Sequence, residues 1–188
     1  MAGVRTGERK LKFDTSARYK QIASFALTVN PNTEIRTLTS MPHKVEEIYD
    51  MQTVFPALNI TGKYFSERYH RHGNPHLKSQ WCIDIETEFE LFAMAKVKKW
   101  ISKDGRAWAL LLDEKKPQVV GLTRRQEESK FARFEDGNHN DIWHGYPEEY
   151  TISKNDIPTL PILQEWVSAG YITNRVMTKI RLGQPCNL

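Results

Sequence analysis

A chain of 188 residues with 39% hydrophobic and 27% charged side chains has the size and mix of one globular domain able to bury a core. Its 27 Lys and Arg against 23 Asp and Glu leave a net charge of +4, too slight for a polycationic packager of nucleic acid. Two cysteines, Cys82 and Cys186, exclude the dense disulfide framework of a small secreted module, and no run of about 18 apolar residues is present to span a membrane. With no apolar segment behind the N-terminal charges, the expectation is a soluble cytoplasmic protein.

In chain order, residues 1–12 read as a basic tail, 13–150 as the core and 151–188 as a C-terminal helical extension. Asp14 is placed to cap a short helix with Tyr19, Ile22, Ala23, Ala26 and Leu27 on one face, in competition with a strand from Phe25 to Val29. After the Asn30-Pro31-Asn32 turn, Glu34 to Leu38 alternates as a half-buried strand. Ser40, with Pro42 behind it, starts a predicted short helix carrying Val45, Ile48 and Tyr49. Between Thr53 and Ser66, Pro56 and Gly62 mark bends between short apolar runs.

Gln80 to Glu86 reads as a strand that gives way to a helix. Thr87-Glu88-Phe89-Glu90 has the form of a capping box, and Phe89, Phe92, Ala93, Val97, Trp100 and Ile101 follow at helical spacing. Acidic residues in the first turn, Lys98, Lys99 and Lys103 toward the last, and Gly105 as a stop predict a helix from about Glu88 to Lys103. Strands are expected over Arg106 to Leu112 and Gln118 to Leu122, joined by the polar turn Glu114 to Pro117, with a loop at 135–141 leading into Ile142 to Pro147. Leu160, Leu163, Trp166 and Val167 make a helical stripe closed by Gly170, and Thr173 caps a last helix ended by Gly183. The five tryptophans, Trp81, Trp100, Trp108, Trp143 and Trp166, are expected in or beside the core, and Lys96, Lys98 and Lys99 on a solvated helix face.

The densest polar constellation is Tyr69-His70-Arg71-His72-Gly73-Asn74-Pro75-His76, shortly before Cys82. His70, His72, His76 and Cys82 are zinc ligands by type, but their spacing matches no structural zinc pattern. Asp84, Glu86, Glu88 and Glu90 would line one face of a continued strand as a platform for metal-assisted phosphodiester cleavage; the capping box leaves only Asp84 and Glu86 as a pair. The third reading makes Cys82 a nucleophile, with the Asn74 side-chain amide as the donor that holds an oxyanion. His139 and His144, around Asn140, Asp141 and Trp143, are candidates for one wall of that site or for a packed loop anchored by Trp143 and Tyr146.

The run Tyr69-His70, Asn74 and Trp81-Cys82-Ile83-Asp84-Ile85 resembles the active-site region of ubiquitin-conjugating (E2) enzymes, in which a Tyr-His-Pro-Asn turn precedes the thioester cysteine by the same eight residues. It is similar in particular to prokaryotic E2-like proteins of anti-phage operons, with the Trp100-Ile101 pair and the later His144-Gly145. Gly73 stands where the family has Pro, so both His70 and His72 are candidates for the loop-ordering histidine. The resemblance implies an α+β fold, an antiparallel sheet packed by helices, with extra C-terminal helices. It implies that Cys82 accepts the acyl group of a ubiquitin-like modifier or another tagged protein from an E1-like activating enzyme. Asn74 would hold the oxyanion, a histidine would order the loop, and Asp84 would orient the incoming lysine. No cofactor or metal is implied in the protein itself, because the E1-like partner uses the ATP; a nucleic-acid partner is not expected.

Overall fold

The computed structural model describes residues 44–74 and 76–188. The basic tail, the helix expected after Asp14 and the strand expected at Glu34 to Leu38 lie outside the described residues. The described chain is a mixed α+β structure built on a five-stranded sheet. Strand β1 (Ile48–Asp50) pairs antiparallel with β2 (Lys63–Phe65), and β10 (Ile142–Pro147) lies beside β2, with β9 (Phe131–Glu135) and β4 (Arg106–Leu110) beyond. The sheet is not wholly antiparallel as expected: β2 and β10 run parallel, Ile142 opposite Lys63 and Trp143 opposite Tyr64. Parallel neighbours need a long crossover, and here all the chain between Phe65 and Ile142 supplies it.

Two smaller sheets flank this one. Strands β3 (Gln80–Trp81), β7 (Gly121–Leu122) and β8 (Glu128–Ser129) are antiparallel in the order β3-β7-β8. β5 (Leu112–Asp113) and β6 (Lys116–Pro117) form a hairpin at the predicted polar turn, closed by Glu114 and Lys115 with φ of 45° and 70°. Positive φ at both central residues is the turn whose twist matches that of paired strands.

Among the described residues there are five α-helices: α1 (Met51–Val54), α2 (Tyr69–His72), α3 (Ile85–Val97), α4 (Leu160–Ser168) and α5 (Asn174–Arg181). Ile48 and Tyr49, expected on a helix, lie in β1, where the Tyr49 ring meets Phe89 at 5.2 Å. The helix α3 departs from the sequence expectation at both ends. It starts at Ile85, so the strand stops at Trp81 rather than Glu86, and its cap is Asp84 instead of Thr87, with Asp84 Oδ1 accepting from the Thr87 amide at 2.9 Å. It ends at Val97, because Lys99 takes φ +55° and the Trp100 amide reaches back to the Ala95 carbonyl at 2.9 Å, the form of a left-handed C-cap. Trp100 and Ile101 therefore leave the helix, and Ile101 bridges to Ala107. The C-terminal pair follows the sequence more closely: Thr173 accepts from the Val176 amide, and Gly170 and Gly183 have φ of +77° and +65°.

The two faces of the main sheet follow from strand alternation. Tyr64, Trp143, Gly145, Ala132, Phe134, Ala107 and Ala109 share the inner face and meet α3, where the Phe92 ring lies 4.8 Å from Tyr64, 5.4 Å from Phe134 and 5.5 Å from Trp143. Gly145 is obligatory there, since a Cβ would fall 2.4 Å from both the Phe134 ring and the Tyr64 hydroxyl. Phe65, Ile142, His144, Tyr146, Glu135, Arg133 and Trp108 share the outer face. α4 covers one end of it, with Trp166 stacked on Phe131 at 5.7 Å. All five tryptophans are buried, as expected. Lys96 is not on a solvated face: its ammonium sits 5.0 Å over the Trp143 ring and 3.5 Å from Asp141. Among the described residues no helix is long and apolar enough to cross a membrane.

Candidate functional site around Cys82

The segment from Tyr69 to Cys82 is a short helix, a turn and a strand, fastened at several points. His70 is buried, 4% exposed, and its Nδ1 lies 2.8 Å from the Ser79 carbonyl, to which it donates as the Nδ1-H tautomer. Its ring stacks on Tyr146 of β10 at 5.2 Å and 18°. Burial, against the helping Ser79 bond and the Glu67 carboxylate, keeps its pKa below the ordinary histidine value. His72 is exposed at the end of α2. Of the two histidines, His70 is thus the one that ties the loop together.

Asn74 directs its side-chain carbonyl to the His76 amide at 3.0 Å, while its main-chain carbonyl accepts from Leu77 and Lys78. This leaves the Nδ2 end of the amide as the group that would meet an oxyanion. Gly73 has a packing reason: a Cβ there would lie 2.3 Å from the Tyr69 carbonyl oxygen, so the proline of the E2 pattern would collide with α2.

Cys82 continues the β3 ladder, its amide donating to Val120 at 2.9 Å. Trp81 turns inward, its indole N–H donating to the Gly145 carbonyl at 3.2 Å. The next side chain in extended backbone points the other way, so the half-buried Cys82 thiol faces away from Gly145 and toward β8. Burial, with a smaller effect from the Glu128 carboxylate, pushes its pKa up, and the thiol is protonated at neutral pH. Asp84, expected to orient a lysine, spends Oδ1 on the Thr87 amide and hydroxyl as the α3 cap.

The acidic platform is dispersed by the early helix start. Glu88 is fully buried, accepting from the Tyr64 hydroxyl at 2.7 Å, the Ser66 hydroxyl at 2.9 Å and the Arg71 guanidinium, while Arg71 also donates to the Ile83 carbonyl at 2.9 Å. Burial raises the Glu88 pKa against the opposing pull of Arg71. Among the described residues, no three of His, Cys, Asp and Glu converge in a way that could hold a metal ion.

The sequence reading missed the polar group on the outer face. Arg133 Nη1 donates to Glu148 at 2.7 Å and to Asp156, and Nη2 donates to Glu135 at 3.0 Å. Burial, offset in part by Arg133, pushes Glu148 up to about 7. His144 Nε2 lies 3.4 Å from Glu135, and although burial pulls its pKa down, the Glu135 and Glu67 carboxylates outweigh this and raise it. The signal available was an arginine in the middle of the apolar run Phe131-Ala132-Arg133-Phe134, which needs partners to be buried. Tyr146 of β10 stacks on His70, and His144 lies beside Tyr146 at 6.2 Å. His139 stands apart in the 136–141 loop, near Gly105.

No protein-family model matches this chain, and no curated protein or solved structure matches it either.

Proposed function

We propose that the protein is a cysteine-dependent acyl carrier of the E2 type, taking a ubiquitin-like modifier or another tagged protein from an E1-like partner onto Cys82. The observation that supports this reading best is the His70 to Ser79 bond. It makes one buried histidine the brace of a loop that holds Asn74 eight residues before Cys82, the role the resemblance gives to that histidine. In the loading step the Cys82 sulfur attacks the acyl carbon of the partner's thioester, and the partner's thiolate leaves and takes up the Cys82 proton. In the transfer step a lysine amine attacks the Cys82 thioester, forming an amide and returning the thiol. Asn74 Nδ2 donates to the oxyanion that forms in this transfer step. The raised thiol pKa suits a carrier that is loaded only by an activated donor, since a protonated thiol resists other electrophiles and oxidants.

Incubation with the activating enzyme, modifier and ATP is expected to yield an adduct on Cys82 that reducing thiols remove. A Cys82→Ser variant should trap an adduct that resists them, and Asn74→Ala should load normally but discharge slowly. An adduct that persists in Cys82→Ala overturns the assignment. Metal-dependent cleavage of DNA or RNA that Asp84→Asn abolishes would put a nuclease in its place.

A further inference from the structure

The end of the outer sheet face that α4 leaves open carries a second site. Here the strands β2 and β10 and the 137–140 loop enclose a half-open pocket of about 280 Å³. Phe65 and Ile142 form its apolar wall, Asn138 and Asn140 its rim, and Glu67, His144 and Trp143, whose ring lies on the other face against Phe92, complete the lining. Cys82 is not part of the lining.

The charge arrangement selects the occupant. Glu67 is partly buried, and among the described residues its ion-pair contact is with His70 Nε2 at 3.6 Å. That imidazole gives its Nδ1 proton to Ser79, so as the neutral tautomer it presents to Glu67 a nitrogen without a proton. His144 is already matched with Glu135 at 3.4 Å. Exposed Lys78 is the other cation whose field reaches both histidines, and Lys96 is held by Asp141 and the Trp143 ring. Glu67 thus lines the cavity without a permanent cation in contact, beside the Phe65 ring and Ile142. A carboxylate beside an aromatic ring and an aliphatic wall recognises an organic cation on an apolar stem.

We propose that this pocket binds a primary ammonium or guanidinium group on an alkyl stem, with the cation on Glu67 and the stem against Phe65 and Ile142. The chemistry belongs to a lysine or arginine side chain of a protein as well as to a free small amine. The site stands on its own residues, whether or not Cys82 carries an acyl group.

The test is an NMR titration of the whole protein with Nα-acetyl-lysine amide, Nα-acetyl-arginine amide and the uncharged Nα,Nε-diacetyl-lysine amide, read at the Phe65, Ile142 and His144 amides. Saturating shifts are expected with the two cations and none with the neutral analogue. Glu67→Gln should weaken the cations by about tenfold or more, and so should Asn138→Lys, which sets a competing ammonium at the rim and is too exposed to disturb the fold. A lysine-containing peptide that binds about tenfold tighter than the single amino-acid amide assigns the source to a protein side chain, and equal affinity assigns it to a free amine. Equal shifts from the neutral analogue, no shifts at all, or undiminished binding in both variants would overturn the proposal. Because the readout involves no acyl transfer, its failure leaves the Cys82 adduct experiment unaffected, and the reverse.

Discussion

On the inner face of the five-stranded sheet, rings do the packing: Phe92 and Phe89 of α3 sit on Tyr64, Phe134 and Trp143, and Gly145 gives up its side chain to let them close. The outer face is filled by a guanidinium, its carboxylates and histidines stacked on a tyrosine. The difference teaches where each face can change. On the inner face Glu88 is completely surrounded by Tyr64, Ser66 and Arg71, and Lys96 is held over the Trp143 ring; the outer face holds a chain of ionisable groups that runs from buried Glu148 to the open pocket beside Glu67. Stability is concentrated on one side, and responsiveness to protons and ligands on the other.

Substitutions can break this comparison, the inner face first. Arg71→Met strands the Glu88 carboxylate in the core, and a loss of about 3–5 kcal/mol is expected in urea unfolding. Phe92→Ala opens a cavity under three rings, with an expected cost in the same range, about 3–5 kcal/mol. On the outer face Arg133→Met should cost less, about 2 kcal/mol, because Glu148 can take up a proton and Glu135 and Asp156 are partly open to water. If Arg133→Met proves as damaging as Arg71→Met, the two faces are alike and the comparison fails.

The pH dependence sharpens it further. Glu148 has a folded pKa raised from 4.5 to about 7, so its contribution to stability is full below about 4.5 and is lost as the pH rises through about 7. The raised pKa of His144 acts in the same sense, and the lowered pKa of Glu135, through its His144 bond, in the opposite sense at acid pH. The urea midpoint is therefore expected to fall as the pH is raised from about 5 to about 8, and to fall less in Glu148→Gln. An unchanged slope in that variant would remove Glu148 from the account. The smallest expected effect lies at the α3 cap: Asp84→Ala should cost about 1 kcal/mol, and Thr87→Ala less, since Asp84 holds the cap.

That last pair also shows what the sequence could and could not disclose. Asp84 and Thr87 are both good cap residues, three positions apart, and the Glu90 that completes a capping box favours Thr87 locally. The earlier start prevails because it carries Glu88 under Arg71, Tyr64 and Ser66, partners that no local pattern contains. Where a signal is local it was legible: the Thr173 cap, the glycine stops of α4 and α5, the turn at Glu114-Lys115 and the apolar spacing of Phe89, Phe92 and Ala93. The parallel pairing of β2 with β10 and the Arg133 network depend on residues far apart in the chain, and composition is silent on both. Of the candidate site, Asn74 and Cys82 were named from their chemistry and from the resemblance to E2 enzymes, which left His70 and His72 as alternatives; only the fold shows that His70 is the buried one that bonds to Ser79.

The position of β10 in the sheet has a consequence for how the protein is made. β10 is the strand that joins the β1–β2 hairpin to β9 and β4, and it supplies the Gly145 carbonyl for Trp81 and the ring beneath His70. During synthesis it emerges after every other strand, so the β2 edge and the loop before Cys82 wait unpaired on the ribosome until it arrives. A nascent or truncated chain that stops short of Ile142 has an open edge prone to pair with a neighbour, and its cysteine loop lacks a backing. The last strand made is the one that completes the sheet and braces the loop together.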